Sequence, residues 1–322
     1  MIYLTLIAGL ILLLGGAEVM VRGAVTLARK LGISPMIIGL TVVALGTSAP
    51  ELIVAVEAAL EGAAGMAVGN VVGSNIANIL LILGVSGLIY PIASNPAAMK
   101  RDGTLLGVMT LLFTLICWQG TVDIWSGAAL LALFFFFLGH SYWRETHAED
   151  PEAAELHAKE AEEIEALKGG VPIALAATFG GILVLVVGSE FLVTSGVELA
   201  RTWGVSEEVI GLTMIALGTS LPELAASAVA AYRRHTDVAL GNVVGSNLFN
   251  MLAVMGTAAM VAPLPVAKQI LQFDLWVMLF ATLLLVVFAL TRQMLSRLEA
   301  GLLLLIYIVY IGLQAKGVEA LL

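Results

Sequence analysis

The chain has 322 residues, 60% of them hydrophobic and 12% charged, with a mean hydropathy of +1.02; this is too apolar for a water-soluble surface and requires a bilayer as solvent. Its net charge is −9, and its single cysteine, Cys117, excludes an internal disulfide and any cysteine-based metal cluster.

A spanning helix needs about 20 apolar residues. In chain order such stretches fall near 2–21, 36–59, 67–90, 103–119, 122–142, 171–195, 208–231, 238–261, 274–291 and 298–315, which predicts an all-α integral membrane fold of ten transmembrane helices. No basic region precedes the first stretch, so it is expected to be a retained span rather than a cleaved signal. One polar segment is long: 143–170 carries nine acidic residues and is expected to be a solvated, partly helical linker between 1–142 and 171–322. Twelve of the fifteen Lys and Arg residues fall in the loops after odd-numbered spans, which places both termini outside and the linker in the cytoplasm.

The two halves repeat one another. Gly39-Leu-Thr-Val-Val-Ala-Leu-Gly-Thr-Ser-Ala-Pro-Glu51-Leu52 returns as Gly211-Leu-Thr-Met-Ile-Ala-Leu-Gly-Thr-Ser-Leu-Pro-Glu223-Leu224, and Gly69-Asn-Val-Val-Gly-Ser-Asn75 returns unchanged as Gly241 to Asn247, both at an offset of 172. Glu18 aligns with Glu190, Asn78 with Asn250 and Asp102 with Asp274, so the duplicated unit is five helices. Five is odd, and the second copy therefore enters the membrane from the opposite side: two inverted five-helix repeats, whose substrate site is expected where they meet near mid-depth.

Glu51 and Glu223 fall near the centre of their spans, where an ionisable residue costs about 2.5–3.5 kcal/mol on insertion scales. On a helix Thr47 and Ser48 share the face of Glu51, as Thr219 and Ser220 share that of Glu223. Pro50 and Pro222 lack the N–H for the carbonyl four residues back, so Gly46 and Gly218, with Ala44 and Ala216, are expected to offer backbone oxygens. Asn70, Ser74 and Asn78, and Asn242, Ser246 and Asn250, recur at i, i+4 as polar stripes on apolar helices. Carboxylate, hydroxyl, amide and carbonyl oxygens without histidine or cysteine make a hard-cation site, suited to Ca²⁺ with its 6–8 oxygens or to Na⁺. Two ionised glutamates are neutralised by one Ca²⁺ or two monovalent ions, and an empty dianionic site is costly to carry through a closed state, so exchange is favoured over leak.

Plainer roles are expected elsewhere. Asp102 and Asp274 open spans and suit helix caps; Glu57 and Glu61 are interfacial. His140, His147, His157 and His235 are solvated, and the five tryptophans form an aromatic belt. Glu18 and Glu190 fit either a buried hydrogen bond or a gate. No nucleophile elbow, His-Glu-x-x-His helix or histidine beside an intramembrane serine is present, so no enzyme is expected.

The paired Gly-Thr-Ser-x-Pro-Glu and Gly-Asn-x-x-Gly-Ser-Asn motifs resemble the alpha repeats of the cation/calcium antiporter superfamily, in its sodium/calcium exchanger branch with ten-helix microbial members. The resemblance spans nearly the whole chain. It implies ion ligands at Thr47, Ser48, Glu51, Ser74 and Asn78 and at Thr219, Ser220, Glu223, Ser246 and Asn250, with backbone oxygens of Ala44 and Ala216. It also implies Ca²⁺ and Na⁺, or H⁺ in the cation/proton alternative, as transported substrates. No resident cofactor, nucleic acid or obligatory protein partner is expected, and the place is the cell (inner) membrane. Asn250 stands where several members carry aspartate, leaving two central acids rather than three.

Overall fold

The computed structural model describes residues 2–93, 96–147, 170–203, 218–292 and 294–316. Its helices, in chain order, are α1 (Ile2–Leu31), α2 (Pro35–Thr47), α3 (Ala49–Leu60), α4 (Ala64–Ile89), α5 (Pro96–Cys117), α6 (Ile124–His147), α7 (Val171–Thr202), α8 (Leu221–Tyr232), α9 (Thr236–Val261), α10 (Leu275–Arg292) and α11 (Arg297–Lys316). Four two-residue strands join loops in antiparallel pairs: β1 (Ile92–Ala93) with β4 (Met294–Leu295), and β2 (Thr121–Val122) with β3 (Leu264–Pro265).

Among the described residues seven helices are long and apolar enough to cross a membrane, or eight if α2 and α3, which meet at a 44° bend, count as one. The remaining two expected spans have visible reasons for falling short. Helix α5 carries Lys100, Arg101 and Asp102 near its start, and the span that ends in α8 begins at 208–217, outside the described residues. Most of the expected linker, 148–169, also lies outside them.

Helix α9 is buried along most of its length, with only Met260 and Val261 exposed at its end, and α4 over most of its own. They form the centre, surrounded by α2, α3, α6, α10 and α11. Helices α1 and α7 run longer than their apolar stretches and pack closely on each other along one side. Small residues make this possible: a Cβ on Gly16 would lie 2.5 Å from the Leu185 nitrogen, one on Gly181 2.4 Å from that of Met20, and one on Gly188 2.4 Å from that of Leu13. The outer faces leave Leu4, Ile11, Phe136, Leu183 and Leu305 exposed, as a lipid environment requires. Trp118, Trp125, Trp143, Trp203 and Trp276 are all exposed, as the aromatic-belt reading expects, and Trp118 meets Trp276 edge to face at 5.7 Å.

Several polar residues behave differently from expectation. Asp102 and Asp274 are not helix caps. Asp102 lies inside α5 and accepts both Nε (2.5 Å) and Nη2 (2.6 Å) of Arg101. Asp274 ends a wide π-type turn, Ile270–Asp274, where Tyr310 (3.0 Å) and Gln314 (2.5 Å) of α11 donate to it. In both cases side chains answer a buried carboxylate that the backbone does not. His235, in the turn before α9, is half-buried rather than solvated; burial, then Arg29 and Arg233, pushes its imidazole down to about 4, so it is neutral at pH 7.

Candidate functional site

Two helix breaks build the site. Helix α2 stops at Thr47, Ser48 takes φ −86°, ψ 9°, and α3 begins with Pro50 in its first turn. Ser220 repeats this at φ −88°, ψ 3°, with Pro222 opening α8. A proline is tolerated there because first-turn N–H groups have no intrahelical partner. Glu51 and Glu223 thereby stand in the first turns of α3 and α8, where helix N-termini favour negative charge.

Both glutamates are buried to 1% exposure. Each accepts a hydrogen bond from the serine of the other half: Ser48 Oγ donates to Glu223 Oε1 at 2.6 Å, and Ser220 Oγ lies 3.4 Å from Glu51 Oε1. Ser220 Oγ is also 3.4 Å from Ser74 Oγ of α4. These bonds bring α3, α4, α8 and the two breaks to one place in the protein interior.

Unmet polar atoms collect there. Among the described residues Oε2 of Glu51 and of Glu223, both amide atoms of Asn78 and of Asn250, Ser246 Oγ and Thr219 Oγ1 are buried without a hydrogen-bond partner. Leaving one such group unpaired costs about 1–3 kcal/mol, so a concentration of them in one interior calls for a ligand. Asn78 and Asn250 each open a wide π-type turn, Asn78–Ile82 in α4 and Asn250–Val254 in α9, a distortion frequent at functional sites. No three His, Cys, Asp or Glu side chains gather among the described residues; the oxygens on offer are mostly neutral.

Thr47, Ser48, Glu51, Ser74, Asn78, Ser220, Glu223, Ser246 and Asn250 are all buried, and Thr219 is half-buried. Ala216 lies outside the described residues. The Ala44 carbonyl already accepts Ser48 N at 3.0 Å and Thr47 Oγ1 at 3.3 Å. The carbonyl of Gly218, expected to be free opposite Pro222, instead accepts Ser189 Oγ of α7 at 3.0 Å. Asn70 and Asn242, the first residues of the polar stripes, turn their Nδ2 atoms to the backbone carbonyls of Glu51 (3.2 Å) and Glu223 (3.4 Å), tying the glutamate helices to α4 and α9.

Sequence reasoning passed over Asn75 and Asn247 as ligands. Both are buried, donate to the carbonyls of Val71 (2.7 Å) and Val243 (2.8 Å), and keep a buried Oδ1 without a partner. Their presence in the duplicated motif was the available signal. Glu18 and Glu190 part company despite their shared register: Glu190 is exposed, whereas Glu18 holds Arg22 (2.5 Å) and, from the turn after α8, Arg233 through Nε (2.9 Å) and Nη2 (2.7 Å).

The profile of the sodium/calcium exchanger protein family matches residues 1–143 and 173–316. The putative antiporter CaxA of Alkalimonas amylolytica is 40% identical over 309 residues, 94% of this chain and 95% of its own. The sodium/calcium exchanger MaX1 of Methanosarcina acetivorans is 31% identical, over 96% of this chain and 97% of its own. Among solved structures, the sodium-calcium exchanger NCX_Mj from crystals soaked with Na⁺ and Ca²⁺ superposes with a TM-score of 0.82 at 30% identity, over 96% of both chains.

Proposed function

The chain belongs to the sodium/calcium exchanger family, a family of multi-pass membrane antiporters, and from that premise we propose that it exchanges Ca²⁺ for Na⁺ by alternating access. The observation that carries this is the collection of buried, unpartnered oxygens around Glu51 and Glu223. In this reading Thr47, Ser48, Glu51, Ser74, Asn78, Thr219, Ser220, Glu223, Ser246 and Asn250, with the Ala44 and Ala216 carbonyls, hold the ions. The two carboxylates set a charge of −2 that one Ca²⁺ or two Na⁺ neutralise, and their neutral neighbours complete a flexible oxygen shell.

The frame of this proposal is ten spans in two inverted repeats, 1–142 and 171–322, in a cell membrane with both termini outside. Beyond the 172-residue offset, it is supported by the two matching breaks at Ser48 and Ser220. The strand pairs add to it, since the offset carries β1 onto β3 and brings β2 against β4 within a residue. The repeats are not in the same state. Helix α1 packs on α8 beside the Glu18–Arg233 pair, whereas the equivalent helices α7 and α3 make no comparable contact. With basic loops inside, the closed end faces the cytoplasm, which supports an outward-facing state.

Glu18 then acts as a latch. Its fork with Arg233 is a two-bond charged contact, but partly exposed, so about 1 kcal/mol is a reasonable measure of its strength. Glu18→Gln is expected to shift the inward–outward balance about five-fold. Spin labels at the exposed Val19 and Tyr232 would report this as a broader, longer distance distribution; an unchanged distribution refutes the latch.

The test of the whole reading is ⁴⁵Ca²⁺ uptake into proteoliposomes under an outward Na⁺ gradient, repeated with a proton gradient. Uptake that requires Na⁺ is the expected result. Uptake driven by protons alone moves the chain to Ca²⁺/H⁺ exchange, and no uptake under either gradient, from folded protein, ends the Ca²⁺ assignment.

A further inference from the structure

We propose that Asn242 is a positioning residue: it orients the Thr47 hydroxyl so that the oxygen's lone pairs, rather than its proton, face the cation. The inference rests on the reading of Thr47 as an ion ligand. A hydroxyl binds a cation through its lone pairs and must place its proton on an acceptor elsewhere. Thr47 lies close to the Glu223 carboxylate, an acceptor that would draw the proton into the site. It also lies 3.3 Å from the Ala44 carbonyl, where the proton would occupy another candidate ligand. Asn242 Oδ1, at 3.3 Å, is the acceptor that leaves both free.

The amide of Asn242 is held in the polarity this requires. Its Nδ2 donates to the Glu223 backbone carbonyl at 3.4 Å and to Ser227 Oγ at 2.9 Å. A carbonyl can only accept, so a flipped amide would set oxygen against oxygen there and turn its NH₂ toward Thr47. Asn242 is 1% exposed and Ser227 0%, so bulk water offers no competing partner. Direction thus passes from Ser227 and the Glu223 carbonyl through Asn242 to Thr47.

The other half lacks this relay in the present conformation. Asn70 donates to the Glu51 carbonyl at 3.2 Å, but Thr219 Oγ1, which lies close to the Glu51 carboxylate as Thr47 does to that of Glu223, has no partner within hydrogen-bond geometry among the described residues. The position equivalent to Ser227 is Ala55, which cannot accept. One threonine is therefore polarised for a cation while its counterpart is not, which makes Asn242 the residue whose loss is felt at the site.

The experiment measures Ca²⁺ KM and kcat, with thermal stability, for Asn242→Leu, Thr47→Ala and their double variant, and for Ser227→Ala, alone and with Thr47→Ala, as a milder change should Asn242→Leu fold poorly. Asn242→Leu is expected to raise KM about ten-fold with kcat little changed, Ser227→Ala about three-fold, and neither to raise it further once Thr47 is alanine. Multiplicative effects in both backgrounds, or a fall in kcat with KM unchanged, would overturn the relay while leaving Thr47 a ligand. If Thr47→Ala alone leaves KM unchanged, Thr47 is no ligand, and the relay fails with that reading.

Discussion

Glu51→Gln and Glu223→Gln are each expected to reduce Ca²⁺ transport by at least about thirty-fold while leaving the protein folded. Glutamine keeps the oxygen to which Ser48 or Ser220 donates, so the hydrogen bonds that join the two halves survive. What it replaces is the second carboxylate oxygen, buried and without a partner in both residues, by an NH₂ that presents protons to a cation. Losing one member of a buried charged contact costs about 2–5 kcal/mol, and each 1.4 kcal/mol is ten-fold.

Stability should move the other way. With one buried charge gone, the ion-free protein no longer holds two carboxylates in a low-dielectric interior, so its melting temperature should hold or rise. The stabilisation that Ca²⁺ confers by binding the folded state should disappear. Uptake assays and melting curves with and without Ca²⁺ check both halves. A variant that keeps more than half of the wild-type rate, or still melts higher with Ca²⁺, removes that glutamate from the site.

The second large effect separates two neighbouring glycines. On Gly16 a Cβ would stand 2.5 Å from the Leu185 nitrogen, 2.8 Å from its Cα and 2.9 Å from the Gly181 carbonyl. All three are backbone atoms, so no rotamer change relieves the clash and α1 must move off α7. Gly15, about 100° round the helix, is exposed, and a Cβ there meets nothing within 4 Å.

Gly16→Ala should therefore cost about 1–3 kcal/mol or more. Gly15→Ala should be neutral or gain part of the roughly 1 kcal/mol by which alanine exceeds glycine as a helix former. Thermal melting in detergent compares them directly. Equal melting temperatures would mean that α1 and α7 do not approach as closely as the structure places them.

Much of this architecture was open to a reader of the sequence, because its decisive signals are periodic or duplicated. Apolar stretches of bilayer length reflect the requirement that a spanning backbone satisfy itself, and a repeated Thr-Ser-x-Pro-Glu at one offset marks where two copies share a task. The glycine contact is legible too: the same offset carries Gly9 and Gly16 onto Gly181 and Gly188, which face each other across α1 and α7. Helix ends were read less well. Asp102 and Asp274 looked like caps because apolar runs begin beside them, but α5 starts at Pro96 and takes the charged residues into the helix.

By itself, then, the sequence determined the membrane class, the duplication, the family and nearly all the oxygen-bearing residues, since each is a property of residue type and spacing along the chain. Only the tertiary structure decided which of those atoms are already spent. It gave the Gly218 carbonyl to Ser189, tied the amides of Asn70 and Asn242 to the glutamate backbones, and bound Glu18 to Arg233 while leaving Glu190 exposed. Repeat-related residues share a spacing but not always a partner: Asn70 and Asn242 hold equivalent carbonyls, whereas Glu18 meets Arg233 and Glu190 is exposed, because the contact between α1 and α8 has no equivalent between α7 and α3.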